Sequence, residues 1–320
     1  MISHVISPSV KFKVPHALLL AFVLGFDAQT GPAAQQSDKP DLIQTFPVGR
    51  YPLGIISEGE NIWVSNSRDD TVTKLRGSDG FLLGTFPVKN SPAYLAFDGS
   101  SIWVADSLSN NVTKLRASDG TLEANIKVGA TPYGMAFDGA NIWVTNYSDA
   151  SVTKIRASDD TVLGTFPVGQ PYPKGILFDG TDIWVANSGY LTVTKLRASD
   201  GAVLGREETW TYPSSLTFDG TKVWVSNSGT NTVTAIRASD GKIQGTFEVA
   251  GNPDGLAFDG MKIWAGCALS TLVAVRARDG VLVLESDIHH QPAGLFFDGT
   301  SLWIANVDDA SVTKITRTPQ

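Results

Sequence analysis

Cysteine is nearly absent from this 320-residue chain: Cys267 stands alone, so no intramolecular disulfide can form. In the repeat described below it stands where other copies carry Asn, and it reads as a small buried filler rather than a nucleophile. Histidine is almost as scarce, with four in all, and beyond residue 34 only His289 and His290 remain. They are adjacent, so an extended backbone turns them to opposite sides and makes them a poor chelating pair. There is no G-x-S-x-G elbow, no H-E-x-x-H and no Gly-rich loop opening a helix. Basic charge is lacking too. The net charge of -7 argues against nucleic acid, which wants a basic footprint.

Long hydrophobic runs are confined to the start. Lys11 and Lys13 precede an apolar stretch from Val14 to Phe26, and small residues Gly31, Ala33 and Ala34 follow. That order predicts a secretory signal peptide over 1–34, cut within 28–36, with a polar linker over 35–41. As a helix the apolar stretch would span about 20 Å, short of the roughly 30 Å hydrocarbon core. The expectation is therefore a secreted or periplasmic protein with no transmembrane anchor after cleavage.

What the chain has in abundance is repetition. Trp63, Trp103, Trp143, Trp184, Trp224, Trp264 and Trp303 recur every 39 to 41 residues, each inside an "IWVAN"-like pentad. Self-similarity at that period marks one supersecondary unit per repeat, with the tryptophans as its structural core. The third unit contains four strand candidates: 134–137, 141–145, 151–156 and 162–168. All are rich in Val, Ile, Thr and aromatics, and none is long enough at helical spacing to be a helix. "DG" after the first strand and "SDG" after the third supply the positive φ of tight hairpins. Four antiparallel strands per 40 residues make a propeller blade. The last unit stops after its third strand, at 312–316, while 42–48 reads like an orphan fourth strand. The prediction is all-β: one seven-bladed β-propeller over 42–320, a monomer whose ring is closed by the N-terminal strand completing the last blade.

The rhythm "WVTN…VTKIRASDDTVLGTFPVG…PKGILFDGTDIWVAN" resembles the YVTN and NHL type of bacterial extracytoplasmic β-propeller, with Trp143-Val144-Thr145-Asn146 where that family writes YVTN. The likeness covers 42–316 and implies a secreted or envelope protein, often a binding module. More distantly the chain is similar to streptogramin lyases, seven-bladed propellers built on a "W-F-T-E" pentad. That resemblance implies a His and Glu constellation with magnesium on one face. Here the pentads end in Asn or Asp rather than Glu, and the two histidines share one loop, so those catalytic residues do not carry over.

The turns on one face are nearly constant, whereas the loops on the other vary, and variable loops on a rigid scaffold hold binding residues. After each loop Pro the lining residue changes, as Leu53, Ala93, Tyr133, Lys174, Ser214, Asp254 and Ala293. One wall would thus carry Tyr133 and Lys174, another Ser214 and Asp254, with Tyr172 and Tyr212 nearby. Such a mixture suits a polar or sugar-like ligand over the central channel. The pentad ends form a further ring: Asn66, Asp106, Asn146, Asn187, Asn227 and Asn306, interrupted by Cys267. Asn there is expected to bond its own following backbone in an Asx turn, and Asp106 is the one carboxylate that could hold a divalent cation. No other cofactor is implied. The Lys and Arg of the third strands, such as Lys154 and Arg156, are expected as solvated tips paired with neighbouring acids.

The functional expectation is a binding scaffold for a protein partner or small polar ligand on the loop-rich face. Two alternatives stand beside it: a lyase or hydrolase using Asp254, His289 or His290, with Asp287 orienting His289, and a surface adhesion module.

Overall fold

The computed structural model describes residues 42–268, 270–288 and 290–316. The expected signal peptide and linker, and His289, lie outside the described residues. Twenty-eight strands form seven four-stranded antiparallel sheets, and no helix occurs among the described residues. Blades 1 to 6 use four consecutive strands each; blade 3, for example, runs from Pro132–Phe137 through Asn141–Asn146 and Ser151–Arg156 to Val162–Pro167. Blade 7 takes three strands from the C-terminal end and its fourth from Leu42–Pro47. That strand lies antiparallel on Ser311–Thr316, from Leu42 opposite Thr316 to Pro47 opposite Ser311. The seven-bladed ring and its closure are as the sequence predicts.

The tryptophan on each second strand is the contact between blades. Trp143 packs on Ile176, Ile183, Val185 and Leu196 of the next blade, and Trp303 carries the stack across the closure onto Ile55, Ile62, Val64 and Leu75. Six of the rings are wholly buried and Trp264 is nearly so. A buried indole N–H needs an acceptor. The Asp of the "DG" turn supplies it: in blades 2 to 7 its Oδ2 accepts Trp Nε1 at 2.5–2.8 Å, as Asp138 does for Trp143. Its Oδ1 meanwhile accepts the turn amides of Ala140 and Asn141. One carboxylate therefore shapes the turn and satisfies the ring. These bonds hold Asp98, Asp138, Asp219 and Asp298 below the usual carboxylate range, even though burial, the largest single effect, pushes the other way. Blade 1 has Glu58 in that place; the longer chain reaches Lys74 instead, and Trp63 Nε1 is left without a partner.

The lysine column departs from the expected solvated tips. Lys74, Lys154 and Lys314 are buried, with Nζ 4.9–5.3 Å above the Trp ring of their own blade. Each Nζ also donates to a backbone carbonyl of the next blade: Lys74 to Ala117, Lys154 to Ala198, and Lys314 across the closure to Gly77. The physical reason is geometric. Lys154 lies directly opposite Trp143 in the sheet, so its stem runs over the indole towards the neighbouring turn. Where the third strand has Ala235 instead, Lys222 of the second strand takes over, reaching both the Trp224 ring and the Ala277 carbonyl. The arginines do behave as expected: Arg156 and its equivalents are exposed and pair with the Asp three residues on.

The pentad-end Asn residues also depart from expectation. They are fully buried, so the side chain cannot fold back over an exposed turn and must find partners inside. Asn146 Nδ2 donates to the hydroxyls of Ser151 and Thr153, and Asn66 does the same to Thr71 and Thr73 while accepting the Gly49 amide. Asp106 has no such donor. Thr113 turns round to donate to it at 2.6 Å. Burial nevertheless pushes the Asp106 pKa up to about 7, outweighing Thr113 and the nearby Lys89 amide.

Three outcomes are expected. Trp143→Ala should lower unfolding free energy by about 3–5 kcal/mol, read as a reduced denaturant midpoint; an unchanged midpoint would contradict the inter-blade role. Deleting 42–47 should leave blade 7 with an open edge and abolish cooperative unfolding, and a soluble, equally stable deletion would refute the closure. Asp106 has a folded pKa above its unfolded value near 3.9, so its contribution is greatest below about pH 4 and is lost as pH rises through 7. Asp106→Asn should therefore stabilise the protein at pH 8, by at most roughly 4 kcal/mol, and have little effect at pH 4. A thermal midpoint difference that fails to grow between those pH values would contradict this.

Candidate functional site: the channel mouth

The first strands of the seven blades surround the central channel. Each begins at a Pro, and in blades 1 to 6 the preceding residue has positive φ, 55° to 58°, as at Tyr51, Thr131, Tyr172 and Asn252. This sharp entry aims the residue after Pro at the axis. The strands then approach closely: a Cβ on Gly134 would come within 2.3 Å of the Lys174 carbonyl, which is why the unit reads P-x-G. The varied residues thus crowd around the channel mouth, a cavity of 590 Å³.

Leu53, Ala93, Tyr133, Lys174, Asp254 and Ala293 line that mouth, and Ser214 is beside them on a smaller space of 140 Å³ further along the channel. The polar members do not form two separate walls. Lys174 of blade 4 reaches across to donate to Ser214 of blade 5 at 2.6 Å and to Asp254 of blade 6 at 2.8 Å. Ser214 donates in turn to the same Asp254 oxygen. The Lys174 Nζ is also 5.6 Å from the Tyr133 ring centroid. The residues meet because a channel of seven strands is narrow enough for one long side chain to span it.

Electrostatics follow from this contact. Burial alone would lower the Lys174 pKa, but the Asp254 carboxylate and Tyr133 outweigh it and the net shift is upward. Burial alone would raise that of Asp254, but Lys174 and Ser214 hold it below the usual carboxylate range. Both groups are charged over the whole neutral range, as a partly shielded ion pair. Burial raises the Tyr94 and Tyr133 pKa values, so both phenols stay protonated and able to donate.

The other sequence candidates lie elsewhere. Tyr172 and Tyr212 are exposed in the connections leading to the mouth, Tyr172 stacked on Tyr147. Asp106 is buried at its strand end and does not line the mouth. His290 is also absent from the lining. It pairs with Asp309 at 3.0 Å, beside Asp308, and the three offer ligand atoms within 4.8 Å of one another. Those acids already brace the loop, Asp308 accepting the Gln291 amide and Asp309 the Ser311 hydroxyl. Arg50 with Asp69 makes the same brace in blade 1. Cys267 is buried, and burial pushes its thiol up to about 12.

One set escaped the reading of the sequence. Ser67, Ser107, Tyr147, Ser188 and Ser228 all line the mouth, together with Ser91 and Thr131. The first five each follow a pentad-end residue directly, one in each of blades 1 to 5, and Ala268 and Val307 hold that place in blades 6 and 7.

No protein-family profile matches the chain, and no curated protein sequence does. Among solved structures it is similar to a catalytically inactive virginiamycin B lyase from Staphylococcus aureus solved with quinupristin, with TM-score 0.76 and 18% identity over 87% of this chain and 100% of that one. It is similar also to a streptogramin B lyase, with TM-score 0.72 and 19% identity over 87% of this chain and 98% of the other. A Kuenenia stuttgartiensis hydrazine synthase matches with TM-score 0.73 and 19% identity over 84% of this chain and 96% of that one. Identity so low, shared with proteins as different as a lyase and a hydrazine synthase, establishes the fold and not the chemistry. The chain has the fold of the streptogramin B lyase-like seven-bladed propellers.

Proposed function

We propose that this is an extracytoplasmic propeller, of the YVTN or NHL kind, that binds a small polar ligand in the channel mouth without transforming it. The observation that carries this reading is the Lys174–Ser214–Asp254 contact at the base of a hydroxyl-rich cavity. A general acid or base works best with a pKa near the operating pH. Lys174 is pushed up and Asp254 down, so neither meets that requirement, and His290 is engaged with Asp309 outside the lining. A cavity of 590 Å³ is within the usual range for small-ligand sites. Export rests on the signal-peptide order of the first 34 residues.

Lys174→Ala or Tyr133→Ala should weaken ligand association by about 0.5–1.5 kcal/mol, or up to about 3 where Lys174 meets a charged group. His289→Ala and His290→Ala should change little. Thermal shift with a panel of polar metabolites finds the ligand, because binding to the native state raises its midpoint. Wild-type turnover of lactones or glycosides that disappears in the double His variant would overturn the binding reading, since loss of a general base costs roughly 100- to 10,000-fold in rate.

A further inference from the structure

We infer that the ligand of this mouth is a neutral carbohydrate, a conclusion that rests on the mouth being the binding site. Charge is the first ground. Among the described residues, the ionised side chains lining the mouth are Lys174 and Asp254, and they cancel each other at 2.8 Å. A charged ligand would have to give up its hydration to a site with no free counter-charge, which is costly. A neutral ligand meets no such penalty.

Aromatic geometry is the second ground. Tyr94, Tyr133, Tyr147 and Tyr172 form an unbroken ladder, with ring centroids 5.3, 6.3 and 4.9 Å apart in turn. It runs from the inner channel to the rim, where Tyr172 is 47% exposed. Of this ladder, Tyr133 and Tyr147 line the mouth itself, so it offers aromatic and aliphatic surface together. Leu53, Ala93, Ala268, Ala293 and Val307 add apolar surface to the lining, and Tyr51 adds a further ring. A pyranose ring has two C–H faces of matching character and size.

Hydroxyl chemistry is the third ground. Ser67, Ser91, Ser107, Thr131, Ser188 and Ser228 also line the mouth. A hydroxyl both donates and accepts, and its hydrogen rotates to suit. Ser67 and Ser91 already bond each other at 2.9 Å and Ser107 donates to the Pro132 carbonyl, yet each oxygen keeps accepting capacity. A ligand edged with hydroxyls of the same dual character satisfies such a crown in many orientations.

Isothermal titration of the purified protein with cellotriose, maltotriose, chitotriose and trigalacturonate tests the inference. At least one neutral trisaccharide should bind, and trigalacturonate should bind more weakly or not at all. Tyr147→Ala should weaken the neutral sugar by roughly tenfold, while Tyr147→Phe, which keeps the ring face, should stay within about twofold. Tyr172→Ala, at the exposed end of the ladder, should weaken it in the same direction. Failure of every neutral sugar, or tighter binding of trigalacturonate, would overturn the carbohydrate assignment. Ser188→Trp, which fills the mouth, separates the two levels of the argument. A non-sugar ligand blocked by Ser188→Trp would leave the mouth as the site and refute carbohydrate. A sugar whose binding is untouched by Ser188→Trp would refute both.

Discussion

The indole N–H of the repeated tryptophan is the constraint around which each blade is arranged. A ring of that size between two sheets excludes water from its own polar atom, and an unpaired buried N–H is costly. The Asp of the preceding turn removes that cost, and the same carboxylate, through its second oxygen, fixes the turn that aims the strand bearing the ring. Above the ring the Lys ammonium gains the indole face and a carbonyl of the next blade at once. Trp, Asp and Lys therefore act as one clamp per interface. Blades that cannot bury their own faces become a ring because this clamp repeats around it.

The exceptions show what the clamp requires. Blade 5 loses its third-strand Lys to Ala235 and recovers the contact from Lys222, so the position of the ammonium matters and the strand that supplies it does not. Blade 1 replaces Asp with Glu58 and leaves the Trp63 nitrogen unbonded. An outer Phe adds to the contact where it occurs. Phe86 lies 5.3 Å from the Trp63 ring centroid, and a Cβ on Gly120 in the next blade would come within 2.1 Å of it. Glycine in the "SDG" turn thus serves its positive φ of 74° and the room for a neighbour's ring together.

A scaffold so uniform leaves its one freedom at the axis. Seven equivalent positions after Pro converge on a narrow channel, and unlike residues there meet although they are 40 or 80 positions apart in sequence. The resulting Lys174–Ser214–Asp254 contact neutralises the base of the mouth. The rest of the lining is aromatic, hydroxyl-bearing or apolar, with the amides of Asn252 and Gln291. Lys174, Ser214 and Asp254 also brace three blades against one another where their first strands are close.

The architecture was legible from the residues because it is local and repeated. The Trp period, the Asp-Gly turns and the orphan strand at 42–48 each specify hydrogen bonding over a few positions, and seven copies of the same pattern leave one arrangement. The residues after each loop Pro at the mouth followed from the same register, whereas the hydroxyl residues beside them did not. Their pairings were not legible, since whether Lys174 faces Asp254 or Tyr133 alone depends on the channel's width, which the sequence does not carry. The buried lysines and amides were hidden for a related reason: polar residue types imply solvent until the neighbouring blade supplies a carbonyl or hydroxyl. The sequence by itself determined the blade, the number of blades and the ring's closure, through short-range propensity and period. Only the tertiary structure decided which polar groups are buried and which charges cancel, because those depend on distances between blades that no single repeat encodes.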